Sequence, residues 1–146
     1  MSAAADITAA RIIRDNIEGF KADVYDDATG EPIQCIGQPT VAYGFRVRQV
    51  SKWLGQKILA LQLTECEAPL LLTDWYNGTD DVRRSALLEI AMNQGDSGLE
   101  NGYPMLIAAV RAKDWPRSQI ECTVENQNVK ARYVRIGQIL LTGVDA

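Results

Sequence analysis

The sequence predicts an α+β fold of 146 residues, and three observations predict it. Apolar residues recur at helical spacing near the start of the chain and throughout its second half. A run rich in β-branched and aromatic residues, Thr40-Val41-Ala42-Tyr43-Gly44-Phe45, reads as a strand. Turn-forming residues, Asp26 to Gly30, separate that run from a shorter strand candidate at Val24-Tyr25. The expected architecture is a small N-terminal lobe with a β-hairpin and a mostly helical C-terminal lobe around a cleft.

Ile7, Ala10, Ile13 and Ile17 recur at three and four residues, which predicts a first helix over roughly residues 5 to 18. Asp6 lies near its start, where the helix dipole favours negative charge. Gly19 is a stop signal. Glu18 therefore falls in the last turn, where the dipole disfavours a carboxylate and helps to hold its proton. A general acid working near neutral pH needs such a raised pKa, although a surface glutamate at the same position would look no different. Asp26 and Asp27 read equally as turn residues bonding their own backbone. Glu31 to Pro39, with Pro32 and Gly37, reads as a loop or irregular hairpin arm.

Thr64-Glu65-Cys66-Glu67 has the form of a capping box, which places a helix near residues 64–78, with Pro69 in conflict with its early turns. The next helix carries a broad apolar face of Val82, Ala86, Leu87, Ile90 and Ala91 and is the expected core of the second half. Tyr103 to Ala112 predicts a short apolar helix. Asp114-Trp115-Pro116 is a helix start, with Asp as cap and Pro in the first turn, and Trp115 is assigned to the core. Val129 to Leu141 predicts the last helix. One domain is expected over 1–146, with lobes of about 1–63 and 80–146 joined by the 64–78 helix.

Composition excludes several classes. A hydrophobic content of 47% is ample for a folded interior. No 18-residue apolar run marks a membrane span, and no apolar segment behind a basic start marks a secretory signal. The chain has no His, which removes Ser-His-Asp, Cys-His and most zinc chemistries. Acid–base chemistry must then rest on carboxylates. Cys35, Cys66 and Cys122 have no metal spacing and suit reduced thiols. The net charge of -4, without a dense basic run, argues against nucleic acid. Charge is unevenly placed: residues 1–31 hold three basic and seven acidic side chains, whereas Arg111 to Arg135 hold six basic and three acidic. A basic C-terminal half facing an acidic catalytic half can hold an anionic glycan.

Glu18-Gly19-Phe20, then Tyr25 and Asp27, then Thr40 with Gly44, resembles the catalytic stretch of the phage lysozymes of glycoside hydrolase family 24. The resemblance continues through Asp81-Val82-Arg83-Arg84-Ser85-Ala86-Leu87, the Asn93-to-Gly98 turn and a last helix from Arg132 to Gly143 with a Thr-Gly ending. It implies Glu18 as the catalytic acid, Asp27 as the second carboxylate with Asp26 its rival, and Thr40 as the hydroxyl that places water. It also implies Asn93 as a sugar-contacting residue and Arg132 as a basic partner of the catalytic Glu. The sequence departs from the family in the long interval between Asp27 and Thr40, in Ala42 for Gly, and in Phe45 for His.

The function so implied is cleavage of the bond between N-acetylmuramic acid and N-acetylglucosamine in peptidoglycan, without a cofactor. The protein would be a monomeric endolysin, held in the host cytoplasm or carried on a virion, with a separate holin-type protein opening the membrane and no stable membrane insertion of its own. Carboxyl groups about 6.5–9.5 Å apart would invert the anomeric centre, and about 5–5.5 Å would favour a covalent intermediate. A lytic transglycosylase using Glu18 alone and a non-catalytic wall-binding relative are the alternatives.

Overall fold

The computed structural model describes residues 2–14, 40–41, 45–46, 51–94, 98–124 and 130–145. Eight helices make up this part of the chain: α1 (Ala3–Arg14), α2 (Lys52–Leu70), α3 (Asp74–Asn77), α4 (Asp81–Gln94), α5 (Gly98–Gly102), α6 (Pro104–Arg111), α7 (Trp115–Val124) and α8 (Lys130–Thr142). The expected α+β class is thereby corrected: the described fold is all-α. Among the described residues, strand pairing is confined to β1 (Thr40–Val41) and β2 (Phe45–Arg46), two residues each. The run read as one strand instead has its two ends paired with each other, Thr40 opposite Arg46 and Val41 opposite Phe45, antiparallel. Strand preference depends on a pleated surface to pack against. Two residue pairs supply no layer, so helix against helix builds the interior.

Helix α4 is the axis of that interior. All seven residues from Ser85 to Ala91 are buried, so every side of its middle turns meets another helix. Helices α1, α2 and α8 pack around it. Leu63 and Leu70 of α2 and Ile136 and Leu140 of α8 complete the core with Leu87, Leu88 and Ile90.

Helix α1 presents a different face from the one its isoleucines predict. Ala4, Ala5, Thr8, Ala9, Arg11 and Ile12 are buried, whereas Ile13 is 40% exposed. Small side chains win because they let the backbones of α1 and α4 approach closely. The Thr8 hydroxyl lies 2.8 Å from Ala4 O in its own helix and 3.0 Å from Ser85 O across the interface. Residues 15–18 of the predicted first helix lie outside the described residues, as does the Val24-Tyr25 strand.

Helix α2 starts at Lys52, twelve residues before the predicted Thr64, and is capped by Ser51, whose hydroxyl accepts from Leu54 N at 3.1 Å. The Thr64 capping box is therefore corrected: Thr64 is mid-helix, and its hydroxyl donates to Ala60 O at 2.9 Å. Pro69 falls in the last turn of α2, where the helix is ending. Glu67, instead of closing a cap, is buried and accepts from Tyr76 Oη at 2.9 Å and from the Ser2 hydroxyl.

The remaining helix ends follow local chemistry. Asp114 caps α7, accepting from Arg117 N at 3.1 Å. Trp115 packs against the core, with the Arg83 guanidinium 4.3 Å from its ring centroid. Helix α6 ends in a Schellman motif: Asp114 N donates to Ala109 O at 2.9 Å and Lys113 N to Val110 O at 2.9 Å. Lys113 takes the left-handed conformation there, at φ 56°. Glycine tolerates that conformation without the Cβ penalty, so Lys113→Gly is expected to raise stability by about 0.5–1 kcal/mol, read as a higher urea midpoint at unchanged slope.

Candidate functional site

The cluster richest in charge among the described residues forms where α1, α4 and α8 meet, and Glu89 is its centre. Its side chain is fully buried. Arg11 from α1 approaches it at 3.1 Å, and Arg132 and Arg135 from α8 at 3.0 and 3.3 Å. One carboxylate on α4 thus draws guanidiniums inward from both α1 and α8. Arg11 is held further by Ser85 Oγ at 2.7 Å, and that hydroxyl lies 2.6 Å from Val82 O. Asp145 stands at the rim, 3.8 Å from Arg11 and 3.5 Å from Arg14.

The described cluster thus sets four guanidiniums, Arg11, Arg14, Arg132 and Arg135, against two carboxylates, Glu89 and Asp145. Burial pushes the Arg11 pKa below its usual value, and the charges of Glu89 and Asp145 pull it back. Arg132 and Arg135 keep 16% and 30% of their side chains exposed, so guanidinium surface is presented on the α8 side. An anion arriving there meets guanidiniums already oriented by Glu89. Glu89 itself, buried among three cations, anchors the three helices.

Of the residues expected to touch substrate, Arg132 belongs to this cluster and Asn93 lies one turn beyond Glu89 on α4. Arg132 binds the Glu89 carboxylate, and Asn93 Nδ2 donates to the Glu89 carbonyl oxygen at 2.6 Å while the side chain stays exposed. The other expected residues are not brought to it by anything described. Glu18, Asp26 and Asp27 lie outside the described residues, and Thr40 is described only as backbone in β1, opposite Arg46. Beside Asn93, Gln94 Nε2 lies 3.1 Å from Tyr133 Oη and 3.4 Å from Tyr103 Oη, and the two tyrosine rings stack at 6.4 Å. These contacts fix the end of α4 against α8.

Glu89 and Arg11 are the residues that sequence reasoning missed. The signal for Glu89 is an acid inside the apolar run from Ala86 to Ala91, which a helix can bury only with a cationic partner. Arg11 gives no comparable signal, because it looks like the basic residue of an exposed helix face.

Of the cysteines, Cys122 is buried and its thiol lies 3.7 Å from Tyr133 O. Burial, and after it the charge of Glu89, pushes that thiol up to about 12. The folded state then keeps its proton where the unfolded chain loses it. Its contribution to stability is whole below the ordinary thiol value of about 9 and is lost as the pH climbs from there to about 12. Cys122 is expected to resist a thiol reagent in the folded protein and to react at once in denaturant, and Cys122→Ser should flatten the alkaline loss of stability. Cys35 lies outside the described residues.

Comparison with protein-family models and with curated proteins finds no match to this chain. The functional reading rests on its own residues.

Proposed function

We propose that this protein is a glycoside hydrolase of bacterial peptidoglycan, cleaving between N-acetylmuramic acid and N-acetylglucosamine. The observation that carries the reading is the Arg132–Glu89 ion pair at 3.0 Å, which seats Arg132 of α8 against α4 one turn before Asn93, beside Arg11 of α1. Asn93 and Arg132 are 39 positions apart in sequence, and both were singled out from the resemblance as substrate-side residues. Partly exposed guanidiniums on that flank suit the carboxylates of the stem peptide. The order of Glu18, Asp27 and Thr40, and their resemblance to the phage lysozymes of glycoside hydrolase family 24, supply the chemistry.

In this mechanism Glu18 gives its proton to the glycosidic oxygen as the bond to the muramic anomeric carbon breaks. Asp27 takes a proton from the water that Thr40 positions, and the hydroxide equivalent adds to that carbon. Proton and water are balanced between the two carboxyls. Arg132 and Arg135 hold the substrate's negative groups, and Asn93 bonds a sugar amide or hydroxyl. As an endolysin the protein would act from the host cytoplasm once a holin-type protein opens the membrane.

The test is release of soluble fragments from purified peptidoglycan by the wild type and by Glu18→Gln, with product ends identified by mass. Release of reducing muramic ends that the variant abolishes supports the reading. Anhydro-muramic ends would replace it with a transglycosylase, and no release by the wild type would end the enzyme reading.

A further inference from the structure

The first half of α2 carries large apolar side chains on the side turned away from the core. Trp53 is 66% exposed, Leu61 65%, Ile58 41% and Leu54 38%. At about 100° per residue these four and Lys57 share about 140° of the helix surface. The opposite side turns Leu59 and Leu63 inward. An apolar ridge of this length left in water marks a contact surface.

Charge says what kind of surface it meets. From Pro32 to Thr64 there is no acidic residue, while Arg46, Arg48, Lys52 and Lys57 fall in that span of a chain whose net charge is -4. The Lys57 ammonium lies 5.8 Å from the Trp53 ring centroid, so its charge rides along the ridge. Lys52 begins the helix, and the first carboxylate along it, Glu65, comes one turn beyond Leu61. Ammonium groups beside Trp, Leu and Ile match the boundary of an anionic bilayer, where rings and alkyl chains enter below the phosphates and lysines meet them. A second copy of the ridge would be opposed by the same lysines. No helix among the described residues is long and apolar enough to cross a membrane, so the fit is to its surface.

We propose that the N-terminal half of α2 docks this protein on an anionic lipid surface, with Trp53, Leu54, Ile58 and Leu61 entering the headgroup boundary and Lys52 and Lys57 pairing with lipid phosphates. The inference stands apart from the glycosidase reading and does not depend on it. The test is flotation of the full chain with vesicles of phosphatidylcholine alone and of phosphatidylcholine mixed with phosphatidylglycerol. Two lysines at the surface predict about thirtyfold stronger partitioning into the anionic vesicles, falling as salt is raised. Leu61→Glu and Trp53→Ala should each remove binding with an unchanged circular dichroism spectrum, and Lys52→Gln with Lys57→Gln should reduce it to the neutral-vesicle level. Equal partitioning into both vesicles, no partitioning into either, or a dimer in sedimentation that Leu61→Glu dissociates without any vesicle binding would each overturn the proposal.

Discussion

Glu89→Ala is expected to lower the free energy of unfolding by about 3–5 kcal/mol, the usual cost of stranding a buried charge. The wild-type carboxylate is fully buried with Arg11, Arg132 and Arg135 within 3.3 Å. Of the three cations, Arg11 has no exposed side-chain surface, so it cannot turn to water when its partner goes. Arg132 and Arg135 can, because both are partly exposed. Arg11→Met combined with Glu89→Leu should therefore cost much less than Glu89→Ala alone, since the double variant leaves no stranded charge. Urea unfolding of the three proteins checks this. A Glu89→Ala loss below about 1 kcal/mol, the size of an ordinary surface substitution, would mean that the cluster is held by its apolar surroundings and not by its charges.

Gly143→Ala should cost about 2–3 kcal/mol, the second largest effect expected. Gly143 ends α8 at φ 69°, a conformation that L side chains rarely adopt. A Cβ there would stand 2.6 Å from Arg83 Nη1. Arg83 cannot retreat cheaply. Its Nε donates to Leu140 O at 2.7 Å and its Nη2 to Leu141 O at 3.2 Å, satisfying carbonyls that the end of α8 leaves open. Its Nη1 binds Asp80 at 2.7 Å, and its plane covers Trp115. The substitution thus combines backbone strain with loss of a cap. Thermal melting should show it as a drop in Tm, and Arg83→Ala should reproduce the cap portion without the strain. Equal stability of wild type and Gly143→Ala would show that α8 ends independently of Arg83.

Local chemistry was legible wherever it acts alone. Asp114 before Trp115-Pro116 marks the start of α7, and the apolar face of α4 marks the core. Three features were not legible because a distant partner decides them. The buried face of α1 is mostly alanines and a threonine, with Arg11 and Ile12, and carries little hydrophobic signal. Their value lies in how closely α4 can approach. The Thr64-to-Glu67 pattern copies a capping box, but Glu67 is taken by Tyr76 and Ser2. The strand-like run from Thr40 to Phe45 has β-forming residues but, among the described residues, no sheet to join beyond a two-residue pairing. At the candidate site, motif order points to Asn93 and Arg132, and the acid inside the apolar run marks Glu89, whereas nothing in the sequence shows that Arg11 turns inward to meet it.

The Glu89 cluster also bears on how the chain is made. It joins α1, the earliest helix described, to α8, the last, and Arg11 and Arg14 also reach Asp145. A helix of 12 residues such as α1 is marginal by itself. On the ribosome it must wait for α4 and then for α8, about ten seconds at bacterial elongation rates of roughly 5–20 residues per second. Until then Arg11 stays hydrated and the faces of α1 and α4 stay uncovered, so chaperone demand should be greatest just before the last helix emerges. A nascent chain halted before Lys130 is expected to be protease-sensitive throughout, and release of the full chain should confer resistance in one cooperative step.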